Sequence, residues 1–226
     1  MSLTPALILT LLIGGSAAPQ TPPIFNPGAP GEAARVISAD EAVELSRTGF
    51  VEADARFMQH MIVHHAQAVE MVDLMQTRAS TEAVRRLGDR IAQSQAAEIA
   101  LMRDWLSGRG LPTTAADLHA GHHGAGHGSA DPDVPLMPGM LSPARMAALA
   151  AARGPEFDRL FLEGMIRHHQ GALDMVEALL DDPEAGEDPM LSDFTSSVTA
   201  DQSAEILRMQ SILSELQSHS SARGRP

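Results

Sequence analysis

Between positions 51 and 78 the apolar side chains return every three to four residues. At about 100° per residue, Phe57, Met61, Ala68, Val72 and Met75 therefore line one stripe of a helix. His64 and His65 share that stripe, with Asp54 at its start and Met71 at its edge, while Glu70 points the opposite way. The spacing predicts a helix over 51–78, about 40 Å long at roughly 1.5 Å per residue. A second helix is predicted over 81–107, capped by Ser80 and stopped by Gly108 and Gly110, with Ile91, Gln95, Glu98, Met102 and Trp105 on its inner stripe. The third, over 156–180, carries Phe161, Met165, His168, His169, Ala172 and Val176 inward, with Asp158 and Met175 beside them. A fourth covers 190–219, its stripe reading Val198, Gln202, Glu205 and Met209. Shorter helices are expected after Ser38, where Ser38 and Glu41 have capping-box spacing, and over 142–154, where Pro143 suits a first helical position.

The first and third stripes are copies of one another. Asp54, Phe57, Met61-Ile62, His64-His65, Ala68, Glu70 and Met71 align in register with Asp158, Phe161, Met165-Ile166, His168-His169, Ala172, Asp174 and Met175. The second and fourth stripes share Gln-x-x-Glu-Ile, at 95–99 and 202–206. The repeating unit is thus a helical hairpin, about 51–107 and 155–217, and two hairpins make an all-α four-helix bundle within a single domain spanning 39–219. One pair departs from the copy: Gly164 stands where the first half has His60.

Composition supports helices and narrows the partners. Aromatic residues are 3% of the chain against 44% hydrophobic residues overall, a balance that suits close-packed helices better than sheets. The net charge of -13 argues against nucleic acid, whose phosphates require a basic face, and favours cations as guests. With no cysteine, thiolate catalysis, disulfides and thiolate metal sites are excluded, so a soft metal would have to use methionine sulfur and histidine nitrogen. Residues 3–14 form an apolar run too short to span a membrane, followed by small residues at 15–18. This reads as a signal peptide over 1–18, hence a periplasmic or extracellular protein, with an uncleaved anchor as the alternative. No later run is long enough to span. Residues 19–38 read as a proline-rich linker and 220–226 as a flexible tail.

The candidate chemistry lies in side chains that the stripes turn inward. A buried imidazole without a partner forfeits roughly 1 to 3 kcal/mol, so His64, His65, His168 and His169 require acceptors, carboxylates or a metal. Glu98 and Glu205, carboxylates on apolar stripes, either hydrogen-bond those histidines across the core or ligate metal directly. Within the 108–141 connection, His119, His122, His123 and His127 sit in a glycine-rich tract, a composition that binds divalent metals loosely or merely stays solvated.

The segments Phe57-Met58-x-x-Met61-Ile62-x-His64-His65, Met137-Pro138-Gly139-Met140 and 157–172 resemble the CopM-like family, also catalogued as domain of unknown function 305. The resemblance covers roughly 50–217. It implies a ferritin-like four-helix fold, bacterial export, and copper binding connected with copper homeostasis or resistance. Carried over by position, it implicates Met61, His64, His65 and Met71 in the first half, Met165, His168, His169 and Met175 in the second, and Met137 with Met140 in the link. Thioethers favour Cu(I) and neutral imidazoles suit Cu(II), so this set could hold either state, with silver or iron as alternative ions.

Two other functions stand as alternatives. A ferritin-like di-metal oxidase would need Glu-x-x-His on two helices, a spacing absent from this chain. An exported module of the cell envelope whose inward histidines and glutamates only cement the bundle, and whose outer face meets a protein partner, would need no metal. The expectation is a metal-binding protein without catalytic residues.

Overall fold

The structure, a computed structural model, describes residues 22–27, 33–45, 49–115 and 133–223. They divide into two units, before and after residue 48.

In the first unit, β1 (Ile24–Asn26) pairs antiparallel with β2 (Arg35–Ile37), placing Ile24 opposite Ile37 and Phe25 opposite Val36. An extended linker was expected here. The β-branched and aromatic residues of both segments favour cross-strand pairing, and Pro22, Pro23 and Pro27 fall outside the paired positions, where they remove no ladder hydrogen bond. The helix α1 (Ala39–Leu45) follows, its first turn held by Ser38 Oγ accepting from the Glu41 N–H at 3.0 Å. It belongs to this unit and not to the domain that the sequence reading began at residue 39.

The second unit is helical. Its elements are α2 (Glu52–Arg78), α3 (Glu82–Gly108), α4 (Pro143–Ala151), α5 (Pro155–Leu180) and α6 (Pro189–Arg223). Four long helices pack in pairs, α2 folding back on α3 and α5 on α6, and the pairs meet through α2 and α5 while α4 lies against both of those. The helix starts follow capping chemistry. Asp54 accepts from the Val51 N–H at 3.0 Å, Ser142 Oγ from the Arg145 N–H at 3.3 Å, and Asp188 Oδ1 from the Met190 and Leu191 N–H groups, each at 3.1 Å. At its other end α6 continues through residues 220–223, where a flexible tail was expected. No described helix is long and apolar enough to cross a membrane.

Ser80 does not cap α3. Its N–H and hydroxyl both donate to the buried Asp158, at 3.1 and 2.7 Å, as does the Thr81 hydroxyl. Asp54, the repeat partner of Asp158, in turn accepts from the Gly186 N–H at 2.8 Å. Each hairpin therefore grips the turn of the other through the same repeated aspartate. Local capping lost to this tertiary bond because a buried carboxylate without donors is far more costly than an uncapped helix.

The core falls into two apolar clusters. One holds Met58, Met61 and Ile62 of α2, Ile99 to Leu106 of α3, Ala172 and Val176 of α5 and Val198 of α6. The other holds Ala68 to Met75 of α2, Leu87 and Ile91 of α3, Phe161 to Met165 of α5 and Met209 of α6. Between them on every long helix lie the polar inward residues: His64 and His65, Gln95 and Glu98, His168 and His169, Gln202 and Glu205. A polar layer thus crosses the four helices at mid-height.

Candidate metal centre

All four histidines of the layer have no exposed surface. Helix periodicity puts them there, and each is anchored through Nε2. His65 donates to Glu98 Oε2 and His169 to Glu205 Oε2, both at 2.6 Å, two copies of one bond within each hairpin. Glu98 also accepts from Ser94 Oγ at 3.2 Å. His168 reaches across the hairpins, donating to the His64 carbonyl at 2.8 Å, and its ring lies 3.9 Å from that of His64, tilted by 40°. His64 donates to the Pro138 carbonyl at 3.0 Å.

The opposite nitrogen of each ring, Nδ1, is buried without any partner. Carbonyl oxygens only accept, so His64 and His168 carry their proton on Nε2. Burial, with the neighbouring His65 adding to it, pulls His64 from the ordinary 6.5 to about 3. Burial and the facing His64 hold His168 well below the ordinary value. These two rings are therefore neutral at neutral pH, with a bare lone pair at Nδ1. An imidazole fixed through one N–H by a carbonyl or carboxylate, with the other nitrogen idle, is in the state that a metal requires.

The lowered values have a consequence for stability. Below pH 6.5 the unfolded chain takes up protons that folded His64 refuses until about pH 3, so stability present above 6.5 is lost as the pH falls through that window. The metal-free protein is expected to melt progressively lower from pH 6.5 downward, His64 alone accounting for about 3 kcal/mol by roughly pH 4.5. Asp188 acts later. Burial raises its carboxyl, but hydrogen bonds from Trp105, the Leu191 N–H and Arg109 prevail and hold it below 3.8, so its contribution disappears only in stronger acid. A melting temperature that stays flat from pH 6.5 to 4.5 would contradict the neutral, buried assignment of these rings.

The segment 137–140 docks on this layer by close backbone contact. Gly139 has a positive φ of 75°, and a Cβ on Gly171 would lie 2.1 Å from the Pro138 oxygen and 2.5 Å from Gly139 Cα. Only glycine at 171 lets the segment lie on α5 so that Pro138 meets His64. The first half has Gln67 at the matching position, which clasps the Leu141 backbone, donating to its carbonyl at 3.0 Å and accepting from its N–H at 2.7 Å. Gly164, the counterpart of the half-buried His60, likewise makes room, with Leu141 and Met71 side-chain atoms 3.1 to 3.3 Å from where its Cβ would be. The two halves differ where one receives the link and the other holds it.

The candidate residues are thus brought together unequally. Met137 and Met140 are buried in the docked segment. Met61 and Met175 lie with one apolar cluster and Met71 and Met165 with the other, so the four methionines border the layer from both sides. Glu98 and Glu205 make the histidine bond, one of the two roles open to them. His119, His122, His123 and His127 lie outside the described residues, as does the expected signal peptide. Among the described residues no three histidine or acidic side chains converge as a metal site. An ion held here would need sulfur or amide oxygen beside imidazole nitrogen. Pro138, Gln67, Gly139 and Gly171 were not anticipated from the sequence. Gln95 and Gln202, visible there in the Gln-x-x-Glu repeat, were not assigned a role.

Solved structures with this fold carry metals in some cases. A DUF305 protein from Streptomyces coelicolor regarded as secreted shares 32% identity over 73% of this chain and 94% of its own, with a TM-score of 0.58. A DUF305 fragment from Deinococcus radiodurans shares 29% over 74% of this chain and 99% of its own, with a TM-score of 0.61. CopM in its Cu(II)-bound form shares 28% over 72% of this chain and 96% of its own, with a TM-score of 0.53, and CopM is also solved in Cu(I)-bound and Ag-bound forms. No curated protein sequence matches the chain. The model of DUF305, a domain of unknown function, matches residues 54–213, and the chain belongs to that family.

Proposed function

We propose that this is an exported copper-binding protein that serves copper homeostasis or resistance without catalysing a reaction. The observation that carries the reading is the set of four buried imidazoles, each anchored at Nε2 and idle at Nδ1. Leaving such nitrogens unpaired costs roughly 1 to 3 kcal/mol each, an expense that a bound ion would offset. The donors fit copper: His64, His65, His168 and His169 would hold it through nitrogen, with Met61, Met71, Met165, Met175, Met137 and Met140 as the sulfur available nearby. The metal-bound forms of CopM support the choice of ion, including silver as a surrogate for Cu(I). Export is supported by the apolar run near the N-terminus and by the Streptomyces relative. We read the paired helices as a ferritin-like bundle put to use as a metal scaffold.

Titration of the purified protein with Cu(II), and with Cu(I) against a chelator, should show tight binding, and addition of iron(II) should cause no oxygen consumption. Iron-dependent oxygen uptake would instead favour an oxidase. Binding of neither metal would reduce the histidines to structural cement.

A further inference from the structure

Two side chains in the polar layer are less satisfied than the histidines. Gln95 and Gln202 are each 2% exposed, and neither the amide oxygen nor the amide nitrogen of either has a partner. Burying both ends of an amide unpaired is costly, and it is done twice, at matching positions of the two hairpins. Each glutamine precedes by one helical turn the glutamate that anchors a histidine, Glu98 or Glu205, so it neighbours that pair on the same helix face. Among the described residues no three histidine or acidic side chains converge on one point of the layer, so an ion there would need a further donor of another kind.

We propose that Gln95 and Gln202 supply amide oxygen to Cu(II) held in the layer and so set the balance between the two oxidation states. The inference rests on the copper reading above. A carbonyl oxygen is a harder donor than a thioether. Added to imidazole nitrogen it favours Cu(II), while Cu(I) is left to the methionines bordering the layer. The amide is neutral, so it adds a donor without adding a buried charge. In the metal-free protein it waits unpaired. Leucine would fill the same space at lower cost than an amide buried without partners.

The test compares the parent with Gln95→Leu/Gln202→Leu. In the variant, Cu(II) affinity measured against a Cu(II) chelator should fall at least about tenfold, and Cu(I) affinity should stay within about threefold of the parent. The metal-free variant should melt at the same temperature or higher, because two unpaired amides have gone. Unchanged Cu(II) affinity overturns the proposal. A second measurement needs no variant: one equivalent of Cu(II) added to the ¹⁵N-labelled parent should bleach the Gln95 and Gln202 side-chain amide signals, while Ag(I) should leave them visible. Signals that survive Cu(II) overturn the proposal even if the variant fails to fold. A parent that binds neither copper ion overturns this inference together with the copper reading, whereas a parent that binds Cu(II) with its amide signals intact overturns only the role of the amides.

Discussion

Replacing His64 and His168 together by leucine is expected to lower copper affinity at least about a hundredfold, or roughly 2.7 kcal/mol. These are the two rings that face one another across the hairpins, and both have a bare Nδ1. The same change should cost little stability at neutral pH. Leucine has similar volume, and the two unpaired Nδ1 atoms that leave with the imidazoles offset the donors lost to the Pro138 and His64 carbonyls. In acid the variant should be the steadier protein, because the groups that refuse protons below pH 6.5 are gone. Competition titration and a melting curve at two pH values measure all of this. A variant that keeps full copper affinity would move the site away from the layer. A parallel His122→Ala/His123→Ala variant would show whether the connecting tract holds the ion. The core replacement should lower affinity more than the tract replacement, since helices hold their ligands in place before binding.

The second large effect is expected from Gly171→Ala. Helix propensity by itself predicts a gain, alanine being better than glycine by up to about 1 kcal/mol in a helix interior. The contact predicts a loss. The new methyl would meet the Pro138 carbonyl and Gly139 Cα, which are backbone atoms that no rotamer change can move aside. Displacing residues 137–140 would cost about 1 to 3 kcal/mol in strain, and removing the Pro138 acceptor from His64 would leave a buried donor unpaired at a further cost of similar size. The net expectation is a destabilisation of roughly 1 to 5 kcal/mol, read as a lower urea midpoint, together with weaker copper binding as the docked segment and its two methionines move. Gly164→Ala is the control. Its new methyl would press on the ends of the Met71 and Leu141 side chains, which can shift, so its effect should be smaller. If Gly171→Ala raises stability, the close approach of the segment to α5 is wrong.

Much of this polar layer is legible in the sequence. The spacing of Phe57, Met61, His64 and His65 already put the imidazoles on the buried face, and the duplication at 158–175 said that a second pair would do the same. Those are consequences of period and repetition within short stretches, which a linear reading captures. The partners of those imidazoles were not legible. Glu98 and Glu205 could have met a histidine or a metal, and the choice depended on how each hairpin closes. The Pro138 acceptor lies 74 positions from His64, and nothing local in a Met-Pro-Gly-Met segment says that its carbonyl will be buried against α5. Ser80 had every local reason to cap α3 and instead serves Asp158, 78 positions away. The strands at 24–26 and 35–37 are not legible locally, because the prolines around them signal a linker and two short apolar segments become strands only by pairing with each other.

The sequence by itself determined the helices, their duplication, the inward turn of four histidines and two glutamates, and a donor set limited to nitrogen, oxygen and thioether sulfur, because each depends on residue identity and helical period alone. Only the tertiary structure decided that these residues share one layer between two apolar clusters, that every imidazole is held through Nε2 with Nδ1 left without a partner, and that Gln95 and Gln202 have no partner either. Hydrogen bonds between distant segments are chosen by the cost of burying polar groups unpaired, and that cost is defined only once the helices have packed.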